Sequence, residues 1–233
     1  MAFFAKFWGT RGSIPTPGYQ THVYGGNTSC IEFRVDDALL ICDAGSGVRE
    51  LGLDLVRRGV SPIEGHFFFS HAHWDHIQGF PFFVPAYAQE NTFYVYGTRT
   101  GDTHFHELLS GQMQSDYFPV GFSDLGATII PRDLGDGEAE VNGVKVRCFP
   151  QIHPGASFGY SFEKSGCKAV YATDNELDQV LTNREATLAD TEIPREIPAD
   201  YVEFVRGASL LIADGQFTDQ EYPSKIGFGH PRA

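Results

Sequence analysis

The segment Phe67-Phe68-Phe69-Ser70-His71-Ala72-His73-Trp74-Asp75-His76 decides the fold, because an apolar run leads directly into four metal-ligand side chains. Three of the nine histidines of the chain lie in its last six residues, which argues against a chance cluster on a surface loop. A buried strand that ends in a polar loop is where α/β proteins build their sites, because the strand fixes where the loop begins. The segment therefore predicts a strand followed by a functional loop.

The loop after this strand has the side chains that divalent transition metals prefer. Imidazole and carboxylate together suit a borderline ion such as Zn²⁺. His71 and His73 are two residues apart, so in extended chain they point to one side and can hold one ion. Asp75 and His76 then face a second position, and two ions about 3.5–4 Å apart form the arrangement that hydrolyses phosphate esters and amides. The spacing predicts a dinuclear hydrolytic centre.

Composition is that of a soluble globular protein. Of the 233 residues, 42% are hydrophobic and 20% are charged, which is enough apolar mass for a sizeable core. No apolar run approaches the roughly 20 residues that span a bilayer, and the first residues lack the features of a signal peptide. We therefore expect a cytoplasmic protein with no membrane segment. In that compartment the scattered Cys30, Cys42, Cys148 and Cys167 are expected to be buried free thiols.

The net charge of −13 bears on the partners of the chain. A protein that grips a long polyanion usually has a basic patch, because neutralising phosphates supplies much of the affinity. Arg57-Arg58 is the only adjacent basic pair, and the nine acids from Asp174 to Glu203 face only Arg184 and Arg195. Composition therefore argues against long nucleic acid as a partner, whereas a small phosphodiester that metal ions neutralise meets no such penalty.

The hydrophobic pattern predicts two groups of strands with helices between them. The expected strands are Phe3–Trp8, Ser29–Val35, Leu39–Cys42, Gly65–Ser70 and Thr92–Gly97, then Ala127–Pro131, Ala139–Val141, Lys145–Gln151, Phe158–Phe162, Ala169–Ala172 and a buried Ser209–Ala213. The expected helices are Gly47–Gly59, Phe82–Gln89, Asp102–Met113 and the stretch 176–206, broken at Pro194 and Pro198. This order predicts an α/β (α+β) protein with two mixed sheets packed face to face and helices outside. We expect one domain over residues 1–233, with two halves that meet near residue 125.

The metal loop, written H-x-H-x-D-H, resembles the signature of the metallo-β-lactamase superfamily. Trp8-Gly-Thr-Arg-Gly-Ser-Ile-Pro15 and Gly26-Asn-Thr-Ser29 are similar to the amino-terminal part of its tRNase Z-like branch. Other segments fall in the expected order, namely Leu40-Ile-Cys-Asp-Ala-Gly45, Gly79-Phe-Pro-Phe-Phe83, Tyr171-Ala-Thr-Asp174 and Asp214-Gly-Gln-Phe217. The resemblance runs from about residue 7 to the carboxyl end and implies the four-layer αβ/βα sandwich of that superfamily.

The resemblance also implies how later residues complete the site. It makes His153 the third ligand of the first metal, and it makes Asp174 the carboxylate that bridges both ions, although by residue type alone Asp174 could be a helix N-cap. With His71, His73, Asp75 and His76, these give six metal ligands for two divalent ions, Zn²⁺ by preference or Mn²⁺. Asp214, after the last strand, is expected to orient a ligand histidine or to be a turn residue.

The carboxyl end departs from the family pattern. His230 lies where relatives have a histidine that is thought to protonate the leaving group, but there a helix, a strand and one more ligand histidine follow, whereas this sequence stops at Ala233. We therefore expect the sandwich without its last helix and strand. Three alternatives stay open: the sequence is shortened, His230 replaces the ligand, or Asp75, His76, Asp174 and water hold the second metal. His230 could also belong to a frayed tail.

The remaining candidate side chains have weaker grounds. His66 is expected to pack in its strand, and His104 and His106 to lie on a solvated helix face, with substrate contact as the alternative; His22 has no stronger basis. The resemblance places the loop of Tyr24, Gly26 and Asn27 near the active site. The aromatic stretches Phe80–Tyr87 and Tyr117–Phe122 are expected in the core, with burial in a homodimer as the alternative.

Three functions follow from these residues. The first is a dinuclear phosphodiesterase that acts on a small phosphodiester such as a cyclic nucleotide. There Asp75 would hold the attacking water in line and His230 would protonate the leaving alkoxide. The second is a tRNase Z-like endonuclease that cuts RNA near its 3′ end, which the amino-terminal motif favours and the acidic stretch disfavours. The third is a metal-stabilised binding domain without turnover.

Overall fold

The apolar run before the metal loop is a buried strand, as predicted. The computed structural model describes residues 2–97, 105–134 and 137–233, which belong to two compact units, residues 1–134 and 135–233. In the first unit Glu64–Phe68 lies inside the sheet and is parallel to both neighbouring strands. A strand with parallel neighbours is covered on both faces, which explains its continuous apolar sequence. The prediction that both halves form one domain stays a prediction.

The first unit contains a six-stranded mixed sheet whose strands follow chain order. The strands are β1 Phe3–Gly9, β2 Cys30–Val35, β3 Ala38–Cys42, β4 Glu64–Phe68, β5 Thr92–Tyr96 and β6 Thr128–Arg132. β1 to β3 are antiparallel and β3 to β6 are parallel. The helices are α1 Gly47–Arg57, α2 Trp74–Ile77 and α3 Phe105–Gly111. The parallel strands all end at one edge, where the metal loop begins.

The second unit contains a five-stranded mixed sheet in the order β11-β10-β9-β8-β7. Its strands are β7 Glu138–Val141, β8 Val144–Gln151, β9 Ser157–Lys164, β10 Cys167–Ala172 and β11 Leu210–Ala213. Among the described strands of this second sheet, only β10 and β11 are parallel to each other. The helices α4 Arg184–Ala189 and α5 Ala199–Val205 lie on the connection from β10 to β11. The strands predicted to precede His153, Asp174 and Asp214 are therefore present as β8, β10 and β11.

A phenylalanine cluster fixes the end of β4. The Phe67 ring lies 5.3 Å from Phe83 and 5.7 Å from Phe80, both nearly perpendicular, and 5.8 Å from Phe69. All four side chains are fully buried, together with the apolar face of α1. Large aromatic rings in edge-to-face contact allow little rearrangement. The first residue of the metal loop is therefore held by the core.

Three secondary-structure predictions need correction. Phe82–Gln89 is not an α-helix, because two short 3₁₀ turns, Phe80–Phe82 and Val84–Tyr87, take its place. Each turn has a proline near its start, and a proline has no backbone N–H to donate. The stretch 176–206 is helical only in short pieces, namely the 3₁₀ turn Leu177–Val180, α4 and α5, and α5 begins directly after Pro198. β11 is not buried, since it pairs only with β10 at the edge of its sheet and leaves Leu211 45% exposed.

Other side chains divide between core and surface. Cys30 and Cys42 are buried free thiols, as predicted, whereas Cys148 and Cys167 are partly exposed. Phe80 and Phe83 are core residues, but Phe82 is 52% exposed. Tyr117 in the other aromatic stretch is exposed as well, and the homodimer stays a prediction. No helix among the described residues is long and apolar enough to cross a bilayer.

Candidate metal centre

The metal loop of the first unit brings its histidines together. His71 and His76 are buried and their rings lie 4.2 Å apart, while the exposed His73 lies beside His71. His71 Nε2 is 3.0 Å from His73 Nδ1. Two nitrogens on one tetrahedral zinc ion with bonds of about 2.0–2.1 Å would be about 3.3 Å apart. The predicted pair His71 and His73 therefore has the separation that one ion requires.

Asp43, a buried carboxylate at the end of β3, organises this loop. Its Oδ1 accepts the Ser70 backbone N–H at 2.7 Å, and its Oδ2 accepts the Ser70 hydroxyl at 2.8 Å. The same Oδ2 lies 2.7 Å from His76 Nδ1. Because a carboxylate accepts hydrogen bonds, Nδ1 carries the proton of neutral His76, and Nε2 keeps its lone pair for an ion.

Ser70 extends this control to His71. Its hydroxyl donates its single hydrogen bond to Asp43, so the Ser70 oxygen, 3.0 Å from His71 Nδ1, accepts a hydrogen bond from the Nδ1–H of that ring. The Nε2 atoms of His71 and His76 are thereby both left as acceptors. A hydrogen-bonded carboxylate behind a ligand histidine is the usual arrangement at zinc sites. One buried side chain, Asp43, thus sets the tautomers of two predicted ligands.

Asp75 is held by a different part of the first unit. Its Oδ2 accepts the Ser13 backbone N–H at 2.8 Å and lies 3.5 Å from His76 Nε2. On its backbone side, a Cβ at Gly45 would lie 2.2 Å from the Asp75 carbonyl oxygen, so only glycine fits there. The Gly-Thr-Arg-Gly-Ser motif near the amino terminus therefore contacts the metal loop directly.

The second unit brings His153, Asp174 and His230 together. His153 follows β8 and Asp174 follows β10, and His153 Nε2 is 3.8 Å from Asp174 Oδ2. His230 Nε2 is 4.0 Å from the same oxygen, and its Nδ1 lies 2.6 Å from Asp214 Oδ2. These ligand atoms form a group that could hold a metal ion. Asp214, which was expected to orient a ligand histidine or to be a turn residue, contacts His230.

Glu176, two residues beyond Asp174, holds the segment that carries His230. This fully buried carboxylate accepts the backbone N–H groups of Gly227 and Gly229 and the hydroxyl of Tyr222, each at 2.8 Å. Burial raises the pKa of the Glu176 carboxyl, but the hydrogen bonds outweigh it, and the pKa lies below its ordinary value. Burial and the Glu176 carboxylate raise the pKa of Tyr222. Glu176 therefore keeps its charge and Tyr222 its proton.

Gly229 in turn orients His153. Its carbonyl oxygen lies 2.8 Å from His153 Nδ1, so that nitrogen carries the proton and Nε2 is the acceptor. A Cβ at Gly229 would lie 2.2 Å from the same nitrogen, and the φ angle of 88° also favours glycine. The three hydrogen bonds to Glu176 thus act on a predicted metal ligand through one backbone carbonyl.

The segment around His230 is not a frayed tail, contrary to that alternative. Arg232 is buried, and its backbone and side chain donate to both oxygens of the buried Asp178 at 2.9 Å. Its guanidinium also donates to the Thr187 carbonyl at 3.1 Å. A buried arginine–carboxylate pair with further hydrogen bonds therefore fixes the backbone at Arg232, next to Pro231.

The other described histidines lie either in the core or at the surface. His66 is buried in β4 with its ring stacked on Tyr94 at 4.7 Å, as expected, and burial lowers its pKa. His106 is partly buried on α3 instead of solvated, and His104 lies outside the described residues. His22 is exposed and stacks on Tyr19 at 5.0 Å.

The donor set fits divalent metal ions. Imidazole nitrogens with their second nitrogen hydrogen-bonded, next to carboxylates, are typical ligands of zinc and its neighbours. In the first unit these are His71, His73, Asp75 and His76. In the second unit they are His153 and Asp174, with His230 beside them. That both sets serve the same two ions stays a prediction of the resemblance.

A comparison of sequences identifies the family. A family model described as "Beta-lactamase superfamily domain" matches residues 40–232. The chain belongs to this family. The match covers the metal loop and all the described candidate ligands, so the resemblance inferred from the metal loop is confirmed.

Curated relatives of this superfamily member are ribonucleases. The ribonuclease Z of Haloarcula marismortui is 24% identical over 174 residues, which are 73% of this chain and 50% of the relative. The ribonuclease Z of Haloferax volcanii is 24% identical over 254 residues, 95% of this chain and 75% of the relative. The chain thus spans about half the length of the Haloarcula relative. These similarities support the tRNase Z-like branch.

Solved structures confirm the fold class. The metallo-β-lactamase fold protein YhfI from Bacillus subtilis has a TM-score of 0.61 at 17% identity, covering 98% of this chain and 77% of its own. The short form of human tRNase Z has the same TM-score and identity, with 98% and 84% covered. A diphosphatase of the PhnP family has a TM-score of 0.60 at 18% identity, with 91% and 73% covered. At these identities the likeness shows the metallo-β-lactamase fold alone.

Sequence reasoning missed the residues behind the ligands. Asp43 directly follows an apolar strand, the same pattern that identified the metal loop, and could have been found in this way. Glu176 and Asp178 gave no such indication, because they look like solvated acids in an acidic stretch. Their burial follows from hydrogen bonds with residues about fifty positions later in the chain.

Replacing Asp43 by asparagine should weaken zinc binding. The amide offers one acceptor oxygen where the carboxylate offered two, so the Ser70 and His76 hydrogen bonds cannot all be kept. We expect the affinity for Zn²⁺ to fall about 10- to 100-fold, measured by competition with a chromophoric chelator. Asp37→Asn, at an exposed turn, is the matched control. An unchanged affinity in a folded Asp43→Asn protein would refute the orienting role.

Glu176→Gln should loosen the segment from Gly227 to Gly229. The glutamine NH₂ group cannot accept an N–H, and an unsatisfied buried donor costs about 1–3 kcal/mol. Amide exchange at these glycines should accelerate about 5- to 150-fold, since every 1.4 kcal/mol is tenfold. Exchange measured by NMR in Glu203→Gln, which changes an exposed acid of the same unit, provides the control. Equal protection in both variants would contradict this role.

Proposed function

We propose that the chain is a metal-dependent phosphodiesterase that holds two divalent ions, Zn²⁺ by preference or Mn²⁺, and hydrolyses a small phosphodiester such as a cyclic nucleotide. The proposed ligands are His71, His73, Asp75, His76, His153 and Asp174. The observation that carries the proposal is the hydrogen-bond pattern of the buried rings. His71, His76 and His153 each have Nδ1 bound to an acceptor of their own unit, which leaves Nε2 for an ion.

The residues of the chain divide the chemistry between them. Ions bound by these ligands supply Lewis acidity to a phosphoryl oxygen and lower the pKa of water. Asp75, whose Oδ2 is fixed by the Ser13 N–H, orients the attacking water with its carboxylate. His230, whose Nδ1 bonds to the Asp214 carboxylate, would act in its doubly protonated imidazolium form, which gives the Nε2 proton to the leaving oxygen and is left neutral with its proton on Nδ1. Its side chain is 21% exposed, compared with 2% for His153, so it can reach a substrate.

RNA cleavage is the second candidate. The relatives named ribonuclease Z favour it. The acidic stretch also argues against it less strongly than the sequence suggested, because Asp174, Glu176 and Asp178 are buried. Only the other six of the nine acids are exposed. Cleavage of a tRNA precursor, with binding that falls steeply as salt rises, would establish this candidate in place of the small phosphodiester.

Metal content and turnover together test the proposal. The purified protein should contain about two ions per chain and hydrolyse bis-p-nitrophenyl phosphate and cyclic nucleotides. His73→Ala and Asp75→Asn should lower kcat by more than about 100-fold, since even residues behind the ligands contribute about 10- to 100-fold. Asp37→Asn is the control for the carboxylate change. One ion or none, without turnover, would favour the non-catalytic binding domain, and turnover by these variants in metal-depleted buffer would exclude the mechanism.

The leaving group distinguishes a general acid from a metal ligand at position 230. If His230 donates a proton, His230→Ala should lower kcat about 10²- to 10⁴-fold for a cyclic nucleotide, whose leaving group is an alkoxide. Turnover of bis-p-nitrophenyl phosphate should change little, because p-nitrophenolate leaves without a proton, and the metal content should stay the same. An equal loss for both substrates together with a lost ion would make His230 a ligand instead.

A further inference from the structure

The amino-terminal loop of the first unit differs in charge from the rest of the chain. The first 31 residues contain Lys6 and Arg11 and no acid, although the chain has 30 acids. Among the described residues, no carboxylate forms an ion pair with Arg11, whose Nε donates to the Ile14 carbonyl at 3.1 Å. In a strongly acidic protein this loop therefore has no carboxylate of its own to repel an anion.

The same loop exposes aromatic and apolar side chains. Tyr19 is 87% exposed, Tyr24 is 85% exposed, and Val23 is 67% exposed. Single exposed apolar residues are common on protein surfaces. Here they lie within a few residues of one another, and Val23 and Tyr24 line a pocket of about 300 Å³ together with Arg11 and Gly12. A volume of that size is at the lower end of the range for ligand sites.

This pocket lies next to the proposed catalytic carboxylate. Gly12 lines the pocket and is bonded to Ser13, whose backbone N–H donates to Asp75 Oδ2 at 2.8 Å. The loop is also held in shape before any ligand arrives. Arg11 N donates to the Asn27 carbonyl at 3.0 Å, and a Cβ at Gly26 would lie 2.4 Å from the Thr16 carbonyl oxygen. The pocket that Tyr24 helps to line therefore includes Gly12, the residue next to the one that contacts Asp75.

We propose that this pocket binds the base of a nucleotide, with Tyr24 as the stacking surface and Arg11 attracting the phosphate toward Asp75. An exposed aromatic ring beside a cation is how proteins bind single bases without reading their sequence. The inference rests on the proposed function and narrows its substrate from any small phosphodiester to one that carries a nucleoside. The nucleoside belongs either to a small nucleotide or to the end of an RNA chain.

Binding of products without turnover tests this. The dissociation constants of AMP and ribose 5-phosphate for the zinc-loaded protein are measured by calorimetry, and AMP should bind at least about fivefold more tightly, the lower end of base–aromatic stacking. Tyr24→Ala should remove this preference and leave ribose 5-phosphate binding unchanged, and Tyr24→Phe should retain it. Arg11→Ala should weaken both ligands to the same degree. Equal binding of AMP and ribose 5-phosphate by the unaltered protein would overturn the proposal.

Matched variants and a second ligand complete the design. Tyr117→Ala and Arg57→Ala remove an exposed tyrosine and an exposed arginine elsewhere in the same unit, and both should leave binding unchanged. If Tyr117→Ala lost the preference for AMP as Tyr24→Ala does, the assignment would be overturned. The trinucleotide CpCpA should bind more tightly than AMP, with a steeper salt dependence, if the source is RNA, and no more tightly if it is a small nucleotide. If the same preparations hydrolyse bis-p-nitrophenyl phosphate but bind AMP no more tightly than ribose 5-phosphate, only the proposal of a base-binding pocket is wrong. A base preference without turnover defeats the proposed function instead.

Discussion

A buried carboxylate in each unit holds the backbone from which the candidate ligands project. Asp43 in the first unit and Glu176 in the second are fully buried, and each accepts three hydrogen bonds from a loop distant in sequence. Removing a carboxylate from water costs several kcal/mol unless its oxygens are satisfied. The loops are therefore obliged to turn their N–H and O–H groups inward. That obligation fixes their conformation without requiring any regular secondary structure in the loops themselves.

The same hydrogen bonds determine ring chemistry. A histidine has two nitrogens, and which one is available to an ion depends on what the other one binds. Asp43 and Ser70 accept hydrogen bonds from Nδ1–H of His76 and His71, and the Gly229 carbonyl accepts one from Nδ1–H of His153. Glycines allow these contacts, since a Cβ at Gly45 or Gly229 would overlap the ligand-bearing residue. Ligand orientation is thus built into the apo fold, so little ordering entropy remains to oppose metal binding.

The sequence predicted the features that depend on local pattern. β4 and its loop were evident because an apolar run and a ligand cluster are adjacent, and α1 because its apolar residues repeat at helical spacing. Pro81 and Pro85 could have corrected the helix that was expected there, since each removes a donor. The burial of Glu176 could not be predicted, because nothing near it in sequence distinguishes it from the exposed Glu185. Its partners are Tyr222, Gly227 and Gly229, and only the tertiary fold brings them together.

Net charge is a weak guide to the substrate, for a physical reason. Interactions between exposed charges are screened beyond about 8–10 Å at ordinary ionic strength. A ligand at Asp75 therefore responds to the nearest loop more than to the total of −13. That loop contains Arg11 and no acid. Of the acidic stretch, Asp174, Glu176 and Asp178 are engaged in hydrogen bonds or ion pairs. Local charge thus permits an anionic substrate in a protein whose overall charge would repel one.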